Sequence, residues 1–361
     1  MYKDAYGNYP DLKNVKKVLV IKLRHLGDVL LTGPVFGALK RAMPDASIDA
    51  FVWSECAAML EGHLAVSGVV EYDRGWKKLG FFKKILKEAA LLWKIRKGKY
   101  DLVINLTEGD RGAIVARVSG ASIRVGYDPK GGGFFGKKGC YTHTVKVCPG
   151  VRHTVERNLD AVRRLGIFPK FEERELFLHV PEKAVQTVRE KVQGPYVLIH
   201  PASRWRFKCW PTQRVRELVK ELCERGEKLV FTSGPDKEER AMVEEICRGF
   251  PALNLAGKIS LKELAALIQG AKALICVDSA PLHMASALKT PTVALFGPSS
   301  EKTWGPWRND RARVVAETMS CRPCYQDGCG GSKVSDCLHT LSVEKVLAAY
   351  DSLEEKTCSL C

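Results

Sequence analysis

Residues 275–297 read ICVDSAPLHMASALKTPTVALFG. An apolar strand, Ala273 to Val277, runs into a short polar loop, a helix start and a second apolar strand, Thr292 to Phe296. That order is a crossover of a parallel α/β sheet, whose ligands collect at strand carboxyl ends. Asp278 and Ser279 stand at such an end. The N–H groups from Ala280 onward open a helix whose dipole favours phosphate, and His283 in its first turn adds a donor. An ordinary crossover with Asp278 or Ser279 as helix cap uses the same residues.

A second loop of this kind follows the first apolar run, KKVLVIKLRHLGDVLLTGPVFGALKRAMP. Val18 to Leu23 reads as a buried parallel strand. Val29 to Met43 reads as one helix with Leu30, Leu31, Val35, Ala38, Leu39 and Ala42 as its apolar stripe. Arg24, His25, Gly27 and Asp28 therefore sit at a strand's carboxyl end. Gly27 permits close backbone approach, and Asp28 either caps the helix or accepts a proton from a substrate hydroxyl. Neither GxGxxG nor GxxxxGKS/T occurs in this segment, so it is no dinucleotide or P-loop fingerprint.

With 361 residues, the chain exceeds one hydrophobic core, and two domains of about 150 to 200 residues are expected. No run of about 18 uncharged apolar residues appears, and MYKDAYGNYPDLKNVKK lacks the apolar segment of a signal peptide. Thirteen scattered cysteines suit a reducing compartment. These features predict a cytoplasmic protein. The net charge of +16 is uneven: residues 1–170 hold 30 Lys plus Arg against 16 Asp plus Glu, and residues 171–361 hold 27 against 25. A basic first half suits nucleic acid, an anionic membrane or a phosphorylated substrate, and equally a solvated basic surface.

The first half alternates helical stretches with strands at Val18 to Leu23, Ile48 to Trp53, Val69 to Tyr72, Leu102 to Leu106 and Ile123 to Tyr127. The glycine-rich DPKGGGFFGKKGCYTH then interrupts as a loop expected to be mobile. A helix from Thr154 to Leu165 follows, and Gly166 to Glu173 reads as the linker. Alternation restarts with strands at Tyr196 to His200, Lys228 to Thr232, Ala252 to Leu255, Ala273 to Val277 and Thr292 to Phe296. The pattern predicts two doubly wound, Rossmann-like domains, 1–170 and 171–361, facing a central cleft. Trp76 to Lys99 carries nine basic residues and one acid. Its broad apolar face suits either a membrane surface or packing on the N-terminal sheet.

Four loops of the second half share one rim. After YVLIHP, the loop SRWRFKCWP carries Ser203, Arg206 and Lys208, with Lys208 placed to neutralise a leaving phosphate. FTSGPDKEER brings Glu238 and Glu239, acids suited to ribose hydroxyls or to a helix cap. LAGKISL brings Gly257, open to a flat base, and Ile259 as an apolar face. Together with the Asp278 loop they form a candidate nucleotide-diphosphate site. In the tail, Cys321, Cys324, Cys329 and Cys337 are spaced C-x2-C-x4-C-x7-C, and Cys358 with Cys361 forms another CxxC. The spacing suits zinc, an iron–sulfur cluster or reduced structural thiols, and not catalysis.

These residues give the chain a resemblance to the bacterial ADP-heptose lipopolysaccharide heptosyltransferases, glycosyltransferase family 9, closest to the heptosyltransferase III subgroup. The similarity runs from VLVIKLRHLGDVLLTGPV through YDLVINLT, VERNL and FKCWP to VDSAPLHMASALKTP and LFG. It implies an α/β GT-B fold, with the sugar nucleotide on the C-terminal domain and the lipid-linked acceptor on the N-terminal one. It further implies that Asp28 is the catalytic base and Lys208 the phosphate partner, with Asp278, Ser279, Ala280 and His283 lining the phosphates. Lys237 stands where some members carry the ribose-binding Glu, so Glu238 or Glu239 takes that place. The four-cysteine tail is not general to the family. The implied reaction moves heptose from ADP-heptose to the lipopolysaccharide inner core with inversion. It requires no metal cofactor, and no DxD element is evident. The implied location is cytoplasmic, with peripheral contact at the anionic inner membrane.

Two other readings compete. A transferase using another nucleotide sugar, or a sugar-nucleotide 2-epimerase, keeps the fold; the epimerase has no need of a basic, amphipathic acceptor surface. A nucleic-acid-binding protein is motivated by charge alone, and no RRM, KH, zinc-finger or helix-turn-helix signature accompanies it. Nucleic acid is therefore not an expected partner.

Overall fold

The structure, a computed structural model, describes residues 9–354. It divides into two compact units, Met1–His179 and Val180–Cys361. The first unit holds six parallel strands: β1 (Lys17–Lys22), β2 (Ser47–Trp53), β3 (Gly68–Tyr72), β4 (Leu102–Asn105), β5 (Ile123–Tyr127) and β6 (His143–Val145). Their order is β3-β2-β1-β4-β5-β6. The second holds β7 (Val197–His200), β8 (Leu229–Phe231), β9 (Ala252–Asn254), β10 (Ala273–Val277), β11 (Thr292–Phe296) and β12 (Ala312–Ala316). Their order is β12-β11-β10-β7-β8-β9, again wholly parallel. Counted from its own first strand, each unit has the same order, and in each the direction of winding reverses once, at β1/β4 and at β7/β10.

The central strands explain why this topology forms. In β4, β7, β10 and β11 every residue is buried, as a parallel sheet covered by helices on both faces requires. Each unit has its own core: Leu19, Ile21, Phe51 and Val103 in the first, and Val197, Phe231, Ile275 and Leu295 in the second.

Three sequence expectations need correction. The single helix over Val29 to Met43 is two, Leu26–Leu30 and Gly33–Ala42. Pro34 in the first turn of the second lacks an N–H, and its ring would clash with the preceding turn of an unbroken helix. Ala42 is exposed, and Met43 closes the stripe instead. Two strands, β6 and β12, were not anticipated; both are edge strands at the same place in their sheets, short or only half-buried. Residues 171–179 stay with the first unit, so the division lies at 179/180 and not at 170/171. Arg174 pairs with Glu156 at 2.8 Å, Glu173 with Arg41 at 3.4 Å, and the Phe177 ring meets His63 edge-on.

Candidate active site

In doubly wound sheets, ligands bind outside the carboxyl ends of the strands where the winding reverses. In the first unit that point lies between β1 and β4. The chain leaving β1 is tied across it, because the Leu23 N–H donates to Thr107 Oγ1 at 2.8 Å. Beneath it, Lys22 Nζ donates to the Leu106 carbonyl at 3.2 Å and to Asn158 Oδ1 at 3.1 Å. Burial lowers the Lys22 pKa to about 8, against the opposing pull of the Asp28 charge. The Cys56 thiol donates to the Arg24 carbonyl at 3.3 Å, and burial pushes that thiol up to about 12, so it stays protonated. The His25 ring meets Trp53 edge-on at 5.2 Å.

This scaffold fixes the short helix that carries Asp28. His25, and not Asp28, occupies the cap position, and Asp28 lies within the first turn. Its carboxylate is half-buried and makes no hydrogen bond or ion pair with any described residue. A first-turn carboxylate is favoured by the helix dipole, and the lone pairs of this one are left unused by the described residues.

In the second unit the winding reverses between β7 and β10. Lys208, in the 3-10 turn Arg206–Lys208 after β7, places Nζ 2.6 Å from Asp278 Oδ2. Ser299, in the loop after β11, donates to the same oxygen at 2.5 Å. Asp278 is buried, so its charge is balanced by one cation and one hydroxyl. Ser279 occupies the cap position of the helix Ala280–Leu288 without capping it: its hydroxyl donates back to the Val277 carbonyl at 3.2 Å. The cap reading of Asp278 and Ser279 thus does not hold. Ala280 opens the helix half-buried, and His283 is buried with its ring 6.4 Å from that of Trp304. The loop after β7 is closed by Cys209, whose sulfur accepts the Ser203 N–H at 3.2 Å. At the end of β7, burial lowers the His200 pKa to about 4, so its imidazole is neutral as it meets Thr232 Oγ1 at 2.9 Å.

Further along the same rim the two candidate ribose acids differ. Glu239 is half-buried and accepts the Gly234 N–H at 2.9 Å through one oxygen; burial raises its pKa. Glu238 is exposed and loosely paired with Arg206 at 3.6 Å. The cap of their helix, Lys237–Cys247, is Asp236. Gly257 adopts φ +67°, and a Cβ there would lie 2.5 Å from Arg240 Cδ. Its N–H donates to the Ser233 carbonyl at 3.3 Å, joining the loops after β8 and β9. Ile259 is half-buried beside them. From β10 through β7 and β8 to β9 the rim crosses three strand spacings, roughly 14 Å, and offers cation and N–H groups at one end, a carboxylate in the middle and open backbone at the other.

The tail braces this rim. Arg322 donates to the Gly297 carbonyl at 2.7 Å and pairs with Glu301 at 3.2 Å, while the Tyr325 N–H donates to the Pro298 carbonyl at 2.9 Å. Ser335 Oγ donates to the Phe207 carbonyl at 2.6 Å, next to Lys208. Among the described residues no group of three or more His, Cys, Asp or Glu is placed to hold a metal ion. Cys321, Cys324 and Cys329 lie close enough to the buried Cys337 to act with burial in raising its thiol pKa; Cys358 and Cys361 lie outside the described residues. Sequence reasoning missed Lys22, Ser299, Arg322 and Ser335. Ser299 stands three residues past the end of a predicted strand, which was the available signal.

Two doubly wound units, each with polar groups at its reversal point, define a GT-B-type α/β protein. Residues 89–334 match glycosyltransferase family 9 (heptosyltransferase). The chain is 33% identical over 341 residues to lipopolysaccharide heptosyltransferase 3 of Escherichia coli (strain K12), covering 92% of this chain and 96% of that protein. It superposes on the structure of E. coli ADP-heptose lps heptosyltransferase II with a TM-score of 0.76 at 22% identity, over 94% of this chain and 99% of that one. UDP-GlcNAc 2-epimerase from Methanocaldococcus jannaschii shares the fold less closely, with a TM-score of 0.52 at 13% identity, over 93% and 92% of the two chains. The chain belongs to glycosyltransferase family 9 and is a heptosyltransferase-type glycosyltransferase.

Proposed function

We propose that this enzyme moves heptose from ADP-heptose to the inner core of lipopolysaccharide, with inversion at the anomeric carbon. The observation that carries the reading is the pair of reversal points: an unencumbered carboxylate at one and a lysine beside a helix start at the other. Asp28 takes the proton of the acceptor hydroxyl as its oxygen attacks the anomeric carbon, and the bond to the diphosphate breaks on the opposite face. Lys208 and the N–H groups of Ser279 and Ala280 stabilise the charge growing on the departing ADP. Asp278, pinned by Ser299, holds Lys208 in place. Glu239, through its free oxygen, takes a ribose hydroxyl, and Gly257 with Ile259 takes the base. Within this assignment the first unit binds the acceptor and the second the sugar nucleotide. The protein works in the cytoplasm, at the face of the anionic inner membrane, whose charge suits the basic first half.

ADP release from ADP-heptose, measured with heptose-deficient lipopolysaccharide core, tests this. Release that needs the acceptor and collapses in Asp28→Ala is the expected result. Release without acceptor would point to a hydrolase or epimerase reading, and no release would reject the donor.

A further inference from the structure

The helix Phe81–Lys97 carries two apolar stripes, and only one touches the protein. Leu91 and Ile95 are buried in the core with Tyr72, Tyr100 and Ala116. At 100° per residue, Phe82, Leu86, Ala89 and Trp93 form a second stripe on the far side of the helix. Phe82 is 80% exposed, Leu86 69% and Trp93 61%, with Phe81 and Ile85 exposed alongside. The expectation that the apolar face packs on the sheet holds only for the inner stripe.

Two further observations identify what covers the outer one. The first is charge. The helix has one acid, Glu88, and it is turned inward: the Tyr72 hydroxyl donates to it at 3.1 Å and Arg111 pairs with it. The outer face is left with cations only, Lys83, Lys94 and Lys97 beside the stripe, with Lys97 Nζ 3.9 Å from the Trp93 ring centre. The second is position. Tyr72 is the last residue of β3, and Arg111 lies in the first turn of the helix Asp110–Ser119. Their partner Glu88 thus marks the carboxyl rim of the sheet, and the residues from Phe81 to Lys87 project roughly 10 Å beyond it. That is the rim that carries Asp28.

We propose that the outer face of this helix docks on an anionic phospholipid bilayer, its aromatic and aliphatic side chains entering the acyl boundary and its lysines meeting lipid phosphates. A neutral surface would leave the lysines unpaired, and an acidic protein would have to supply its own apolar groove for the stripe. Docking specifies which surface makes the membrane contact proposed above and orients the Asp28 rim toward a lipid-linked acceptor; as a binding event it stands whether or not the heptose reading does.

Co-sedimentation of the full chain with phosphatidylcholine vesicles, with and without phosphatidylglycerol, tests it. Wild type is expected to sediment with the anionic vesicles and to be released by salt. The double variant Phe82→Ser, Ile85→Ser removes two exposed apolar groups without opening the core, and it is expected to bind roughly tenfold or more weakly. Its turnover on a delipidated core oligosaccharide should stay at the wild-type level, and its thermal unfolding should be unchanged. Equal sedimentation of wild type with both vesicle types, or of the double variant and wild type with anionic vesicles, overturns the proposal. A wild-type dimer in light scattering that the double variant abolishes would assign the stripe to a second copy and overturn it too. Failure of heptose transfer with vesicle binding intact rejects only the function reading.

Discussion

Asp28 and Lys208 differ in how far their present partners commit them. The carboxylate of Asp28 is held by position alone, so Asp28→Asn preserves shape and removes only basicity. Initial rates should show kcat lowered about 10²–10⁴-fold, with little change in the KM for ADP-heptose; an unchanged kcat would move the base elsewhere. Lys208 is committed to the buried Asp278 at 2.6 Å. Lys208→Met therefore does two things: it removes the proposed phosphate partner, and it leaves a buried charge supported by Ser299 alone, at a cost of about 3 kcal/mol. Adding Asp278→Asn should restore most of the stability in denaturant titrations and none of the ADP release. Recovery of both would make Lys208 a purely structural cation. Lys22 offers a pH test. Its pKa falls from 10.5 to about 8 on folding, so between those values the unfolded chain holds a proton that the folded chain has released. Stability then rises with pH across that window, by up to about 1 kcal/mol per pH unit from this group. Lys22→Met should lack that increment relative to wild type in denaturant titrations from pH 8 to 10.

Elements, more than single residues, decide where these groups stand. The fully buried central strands were legible in the sequence because a continuous apolar run has few other uses, and their polar successors at Asp28, Lys208 and Asp278 were legible with them. The edge strands β6 and β12 were not, because one face or one side of an edge strand is wet and the apolar signal fades. Nor were the braces. Ser299 reaches Asp278 across 21 residues, and Ser335 reaches Phe207 across 128, contacts that no local pattern records. The tail chain meets the loops after β11 and β7 through Arg322, Tyr325 and Ser335. Ser335→Ala leaves the Phe207 carbonyl without its donor, a loss of about 1–3 kcal/mol at a buried site, and slackens the turn that carries Lys208. The expected outcome is a lower kcat with the donor KM raised, in a protein whose far-ultraviolet circular dichroism is unchanged. A variant that unfolds earlier yet turns over normally would reduce the tail to a structural role.

At the scale of the whole molecule, the repeated strand order means that each unit closes its own sheet around its own core and should not depend on the other to fold. The place of division matters for this. Arg174 is paired with Glu156, and His179 packs on Gly62, where an added Cβ would approach its ring to 2.5 Å. A cut at 170/171 would strip these contacts from the first unit, whereas a cut at 179/180 keeps them. The second unit holds every group assigned to the nucleotide, from the Lys208–Asp278 pair to Gly257. A chain of residues 180–361 should therefore unfold in one cooperative transition and bind ADP by itself. A ligand that binds only the folded state raises stability by RT ln(1 + [L]/Kd), about 2.7 kcal/mol at a hundred times Kd, so ADP should raise the midpoint of thermal unfolding of that unit in a concentration-dependent way. The unit 1–179 should show no such shift. An ADP response in the first unit, or its absence in the second, would relocate the nucleotide and with it the roles assigned to Lys208, Glu239 and Gly257.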